Sequence, residues 1–290
     1  MYTSLKELIT FAKKENKTIG QIARALEAKE MEKKEEELNH IMWERYKVML
    51  SAMERGLSEE IPSISGLTGG EGKKLWKSNK KMLSGNIILR AMARAMAVSN
   101  VNAGMGKIVA APTAGAGGIV PAVIKSVAET YKNTDTQIID ALFTAGAIGK
   151  VIALRATLSG AEGGCQAECG AGAAMAAGAA VELVGGEVEK VGEAVALVLK
   201  SIMGLVCDPV AGLVEVPCIK RNGMYASIAI SASDMALSGI KSVIPVDEVI
   251  DAMKEVGDAL PSSLKETALG GIAQTPTALK ITEEFKKRHL

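Results

Sequence analysis

The first 55 residues alternate charged and apolar positions at the three-to-four-residue spacing of helices that lay one face on a core. Two helix starts are marked. Ser4 with Glu7, and Thr18 with Gln21, both fit the capping box, in which a hydroxyl and a Glu or Gln side chain satisfy free amides at helix entry. A third helix is predicted from about Met31 to Arg55, with Leu38, Ile41, Met42, Met49 and Met53 on one face and a stop at Gly56. Residues 56–83, containing "GLSEEIPSISGLTGGEGKK", are too rich in Gly, Pro and Ser for a regular element and read as a loop.

From Ser84 the pattern changes. Helical segments predicted at about 84–98, 117–131, 135–158, 168–184, 187–206, 223–239 and 246–257 alternate with glycine-rich connections. Charges thin out between 101 and 186, as in helices buried on most sides. "KIVAAP" (107–112) and "LVEVPCI" (213–219) have the make-up of short strands, and the closing "EEFKKRHL" reads as a solvated end. The expected fold is mainly α: charged N-terminal helices over 1–56 packed on a helical domain over 57–290. Together these form one continuous unit with Gly-rich connecting loops around a central cleft.

Composition narrows the function. A chain of 290 residues can bury a full core. With 34 Lys and Arg against 33 Asp and Glu, it lacks the basic excess that phosphate binding needs, and 3% aromatics leave few platforms for base stacking. Nucleic acid is therefore not the expected partner. The N-terminal stretch lacks the apolar core of a secretory signal. Lys150 and Glu182 interrupt the apolar runs before they reach the ~20 residues of a membrane span. A cytoplasmic protein with no membrane partner is expected, and its four cysteines are then reduced thiols or metal ligands rather than disulfides.

Few residues here carry chemistry. The two histidines are His40, inside the charged third helix, and His289, next to the C-terminus; neither is placed by sequence beside a nucleophile. The cysteines are Cys165, Cys169, Cys207 and Cys218, none in a C-x-x-C pair. Cys165, Cys207 and Cys218 are flanked by Gly or Pro, as loop ligands of an iron–sulfur cluster would be, whereas Cys169 opens an Ala-rich helix four residues after Cys165. Spacing alone leaves open whether all four are small buried apolar side chains. Two glycine-rich stretches resemble ligand loops. "NAGMGKIVAAPTAGAGGIVPAV" (102–123) places amides before a helix, where a carboxylate would be welcome, and "SGLTGGEGKK" (65–74) ends in two lysines. Neither fits a nucleotide-binding pattern.

Taken in order, "SGLTGGEGKKL", "NAGMGKIVAAPTAGAGGIVPAV", "GAEGGCQAECGAGAAMAAG", "GLVCDPVAGLVEVPCIKRN" and "LKETALGGIA" resemble the alpha chain of the bacterial iron–sulfur-dependent L-serine dehydratases, over roughly residues 60–275. The resemblance implies a [4Fe–4S] cluster on Cys165, Cys207 and Cys218 with one iron left open to substrate. It leaves Cys169, at a position where relatives carry an aliphatic residue, as a packing neighbour. Single-chain relatives end in a cysteine that reaches back to the open iron; here "QTPTALKITEEFKKRHL" follows, without a thiol. Nor does any segment resemble the serine- and histidine-bearing domain that two-chain members carry on a beta chain. A beta-chain partner is therefore implied.

The implied reaction is loss of water from L-serine to aminoacrylate, then tautomerisation and hydrolysis to pyruvate and ammonia, with the open iron as Lewis acid. Within that frame the candidate carboxylate holders are Lys73 and the 112–118 loop, represented by Thr113, Ala114, Gly115 and Gly117. Ser65 and Thr113 are the candidate hydroxyl donors, and Lys107 or the partner chain is the candidate base. No lysine context suggests pyridoxal phosphate. The rival readings are a cysteine-desulfidase-like iron–sulfur lyase and a non-enzymatic helical subunit.

Overall fold

Residues 2–78 and 80–289 are described by a computed structural model. Among them run thirteen α-helices: α1 Leu5–Glu15, α2 Ile19–Glu30, α3 Glu35–Ser58, α4 Glu71–Trp76, α5 Asn86–Ala103, α6 Ile119–Tyr131, α7 Asp135–Arg155, α8 Gly160–Gly163, α9 Ala171–Leu183, α10 Val188–Ile202, α11 Cys218–Leu237, α12 Val246–Ala259 and α13 Pro276–His289. The protein is a single, mainly α domain. No sheet forms among the described residues, whose only strand-like pairing is one parallel bridge between Cys207 and Lys265.

Local chemistry accounts for the starts. Thr18 and Gln21 make both bonds of a capping box, as Thr134 and Gln137 do ahead of α7. Ser4 caps the Glu7 amide, but the Glu7 carboxylate takes the Thr3 amide, so that box closes one residue early. The α3 helix starts four residues later than predicted and runs through Gly56. Its buried face uses Leu38, Tyr46, Met49, Ala52 and Met53, and Ile41 is exposed. The two predicted strands do not form. Residues 107–112 pair with no strand among the described residues, and "LVEVP" turns into α11, because Pro217 lacks the amide a strand would need and suits a helix entrance. The predicted loop over 56–83 encloses α4, and the solvated C-terminal end is helical as α13.

At the centre α9, built almost wholly of Ala and Gly, is buried from Ala171 to Val181 and packs against α6, α7, α10 and α11. One apolar core runs from Tyr2 to Met253, so α1–α3 share it with the rest of the chain. By length and composition α7 would cross a membrane, but it is 72% buried inside the fold and carries Asp140 and Thr144 within it.

Close helix contacts explain part of the glycine content. A Cβ at Gly56 of α3 would stand 2.2 Å from the Ala97 carbonyl oxygen, and one at Gly72 of α4 would stand 2.5 Å from the Ala97 amide nitrogen. Both helices thus meet the α5 backbone where no side chain fits. Gly146, on the exposed side of α7, has no neighbour within 4 Å of such a Cβ. Gly72→Ala should therefore destabilise the fold by about 3 kcal/mol through overpacking. Gly146→Ala should stabilise it by up to about 1 kcal/mol, because Ala is the better helix former. Denaturant unfolding of both variants checks the contrast.

A buried carboxylate joins the N-terminal helices to the core. Glu182 of α9 accepts the Thr144 hydroxyl at 2.7 Å and the Gly20 amide at 3.3 Å, while its other oxygen is buried without a partner. Burial pushes it up from 4.5 to about 7, against the effect of those hydrogen bonds. Between these values the native state keeps a proton that the unfolded chain has lost, so stability falls as pH rises through that window. Glu182→Gln removes the term. Its melting temperature relative to wild type should climb between about pH 5 and about pH 8, by the equivalent of on the order of 3 kcal/mol. A difference independent of pH would contradict this.

Candidate metal centre

Three segments far apart in sequence deliver the thiols. After α8, Gly164 takes φ +76° and the chain enters a π-helical turn, Gln166–Gly170, which wraps Cys165, Glu168 and Cys169 to one side. Such wide turns interrupt α-helices mostly at functional sites. The wholly buried Gln166 side chain pins this one: its amide nitrogen donates to the Met253 carbonyl at 3.0 Å, and its oxygen accepts the Gly204 amide at 2.7 Å. Cys207 lies in the next segment, where its amide donates to the Leu264 carbonyl at 2.9 Å and its carbonyl accepts the Glu266 amide at 2.8 Å. Cys218 is the first residue of α11. All four thiols are free and buried.

Arg221, one turn into α11, joins these segments. Its guanidinium donates to the Val206 carbonyl at 3.0 Å and to Asp208 at 2.9 Å, and the other Asp208 oxygen accepts the Ile272 amide at 2.8 Å. The Asp208 and Arg221 side chains are almost fully enclosed. Asn222 next to it fastens the 112–118 loop: its amide nitrogen donates to the Gly115 carbonyl at 2.7 Å, and its oxygen accepts the Gly118 amide at 3.1 Å.

The electrostatics single out one sulfur. Hydrogen bonding with the neighbouring Cys169 and Cys207 thiols favours the thiolate form of Cys165. These hydrogen bonds, helped by the Arg221 charge, hold the Cys165 thiol well below its ordinary range against the effect of burial. Those two thiols move the opposite way, first because of the hydrogen bond each shares with Cys165 and then because of burial. Burial pushes Cys218 up to about 12, with the Cys165 and Glu168 charges adding to it. One ligand atom from each of Cys165, Glu168 and Cys169 lies within 4.8 Å of the other two, so this cluster is able to ligate a metal.

A cleft of about 530 Å³ opens beside the thiols, with Thr113, Ser159, Gly160, Glu162, Glu168 and Glu266 in its wall. The Thr113 hydroxyl donates to Glu168 Oε1 at 2.5 Å. Burial pushes Glu168 up to about 7, the Thr113 bond opposing and the Cys165 and Glu266 charges adding. A Cβ at Gly160 would meet Cys207 Sγ at 3.3 Å and Glu168 Oε2 at 3.4 Å, so this glycine separates the cleft from the sulfurs.

The other sequence candidates fall as follows. Within the 112–118 loop the amides of Ala116, Gly117 and Gly118 are engaged internally, by Thr113 Oγ1, the Ala114 carbonyl and Asn222, while those of Thr113, Ala114 and Gly115 donate to no group among the described residues. Ser65 is buried, and its hydroxyl and amide both go to Glu215, at 2.5 and 3.2 Å, with Thr68 on the same carboxylate. The 61–70 loop is thereby docked on the segment leading into Cys218. Lys73 is half-buried on α4 and Lys107 is exposed, and neither lines the cleft. His40 is exposed and borders a separate cleft with Arg24, Trp43 and Asp135; the side chain of His289 lies outside the described residues. Sequence reasoning missed Glu168, Glu266, Asp208, Glu215 and Arg221. For Glu168 and Glu215 a signal existed: carboxylates standing alone in the apolar stretches "GGCQAECG" and "GLVEVP".

A family model described as the serine dehydratase alpha chain matches residues 14–273. The chain is 49% identical over 287 residues to the probable L-serine dehydratase alpha chain of Bacillus subtilis, covering 98% of this chain and 95% of that one. It is 39% identical over 289 residues to the L-serine dehydratase alpha chain of Peptoniphilus asaccharolyticus, covering 99% of both. Against the L-serine dehydratase of Streptomyces coelicolor it is 38% identical, over 92% of this chain but 59% of that protein. Similarity of this extent means that the chain belongs to the serine dehydratase alpha-chain family.

Proposed function

We propose that this chain is the catalytic alpha subunit of an L-serine dehydratase, which converts L-serine to pyruvate and ammonia with a [4Fe–4S] cluster on Cys165, Cys207 and Cys218 and with a separate beta chain as partner. One observation carries the reading: ligand atoms of Cys165, Glu168 and Cys169 lie within 4.8 Å of one another, and Cys207 Sγ comes up to Gly160 in the wall of the same polar cleft. The donor set fits an iron–sulfur centre, because soft sulfur ligands in a low-dielectric pocket are joined by a guanidinium, Arg221, whose charge favours thiolate. When bound, the cluster would supply an iron with open coordination to act as Lewis acid on the substrate hydroxyl.

The chain's own residues orient the amino acid. Free amides at Thr113, Ala114 and Gly115 suit the carboxylate, and the Glu162, Glu168 and Glu266 wall suits the ammonium group. Gly117 shapes the turn of that loop. Ser65, committed to Glu215, enters this reading by holding its own loop against the Cys218 segment. Lys73 is kept as a second candidate for the carboxylate, approaching from the Ser65 loop. With Lys107 outside the cleft wall, the beta chain is the better source of the group that takes the α-proton. Partner dependence has a further support, in that the Streptomyces coelicolor dehydratase contains a large part that this chain does not match. Four free thiols also suit the reducing cytoplasm.

Anaerobically purified protein should be brown and carry iron and sulfide, and Cys207→Ala and Cys218→Ala should each lose colour and serine turnover. A colourless, iron-free preparation that is active with serine would refute the cluster. Co-expression with the beta chain should raise pyruvate formation well above that of this chain alone, and full activity of the single chain would refute the partner. Thr113→Val should lower kcat/KM for serine by about 10–100-fold, the worth of a hydrogen bond to a charged group. Parallel assays with cysteine separate dehydratase from desulfidase.

A further inference from the structure

Cys169 is the thiol that the cluster reading leaves over, yet the fold does not treat it as inert packing. It is almost fully buried, and its Sγ lies within 4.8 Å of the Cys165 sulfur. The π-helical turn brings it, Cys165 and Glu168 together so that their ligand atoms all lie within 4.8 Å of one another. Two thiolates on one tetrahedral ion, at metal–sulfur distances of about 2.3 Å, stand about 3.8 Å apart. The trio therefore suits donors that share one ion. Ligands to different irons of a cluster must stand farther apart, because the irons themselves are separated.

Glu168 is oriented for this role. Thr113 holds its Oε1, while Oε2 accepts no hydrogen bond among the described residues and faces Gly160 and the cleft. A further donor is at hand in Cys207, whose Sγ and Glu168 Oε2 both face Gly160. Two thiolates and a carboxylate around a divalent ion leave one net negative charge, and Arg221 is placed to balance it. Sulfur donors select zinc, ferrous iron or cobalt over magnesium and calcium.

The geometry points to a second metal site overlapping the first: in the chain without its cluster, Cys165, Glu168 and Cys169 hold one soft divalent cation, and by taking Cys165 that ion blocks cluster assembly. The inference rests on the cluster reading only for which cysteines the cluster takes. As metal ligands, Cys169 and Glu168 serve the single-ion site and not the cluster, and Cys218 serves the cluster and not the single ion.

The test uses the full chain, stripped of iron by chelation and kept reduced and anaerobic, titrated with cobalt(II). Wild type should bind one equivalent, with thiolate-to-cobalt charge-transfer absorption and the visible bands of tetrahedral cobalt, and zinc should displace it. Cys169→Val and Cys169→Ser should each weaken cobalt binding by about 100-fold or more, since losing a ligand costs at least what losing its supporting partner does. Both should still assemble the cluster. Cys218→Ala should show the reverse, full cobalt binding and no cluster. Zinc added first should slow cluster reconstitution in wild type and not in Cys169→Val. Cobalt affinity and spectrum unchanged in both Cys169 variants, or lost in Cys218→Ala, would overturn the single-ion site. A normal cluster in Cys218→Ala would instead overturn the ligand set of the cluster and leave the cobalt result standing.

Discussion

The pairing of Arg221 with Asp208 holds the centre together. A buried charge pair is costly unless further hydrogen bonds support both partners, and here the guanidinium also binds the Val206 carbonyl and the carboxylate also takes the Ile272 amide. Through these three bonds a single side-chain pair ties α11, the Cys207 segment and the 271–274 turn into one unit. The same guanidinium lowers the cost of a thiolate at Cys165. Structural closure and the charge balance at the sulfurs thus share one cation.

Around that pair the remaining loops are fastened by uncharged or singly charged polar residues buried where apolar ones would be expected. Gln166 ties the π-helical turn to α12 and the Gly204 turn, Asn222 ties the 112–118 loop to α11, and Glu215 ties the 61–70 loop to the Cys218 segment. Each is a deeply buried group with its hydrogen-bonding capacity met by backbone atoms or hydroxyls, which makes loop position specific rather than merely compact. Smooth Ala and Gly helix surfaces alone would let loops slide; the polar anchors stop them.

Much of this was legible in the sequence. The helical periodicity, the Thr18 cap, the Ala- and Gly-lined core and the three cysteines at Gly and Pro turns are local signals, and local signals survive folding. The failures have a common cause. Whether "LVEVPCI" becomes a strand depends on whether a neighbouring strand exists to pair with it, which is not a property of seven residues. Glu168 and Arg221 acquire their roles only when segments some fifty residues apart are brought together. Ser65 looked like a free hydroxyl because Glu215, its partner, lies 150 residues away.

The bridge between Cys207 and Lys265, with the Ile272 amide on Asp208 behind it, has a bearing on biosynthesis. Three of the sulfurs are translated by residue 207 and the fourth by 218, but the strap that seats the Cys207 segment follows about fifty residues later. A nascent polypeptide still threaded through the ribosome at that stage exposes thiols without their clamp. The environment of Cys207 is therefore completed only by residues 264–272, made well after every sulfur is in the chain.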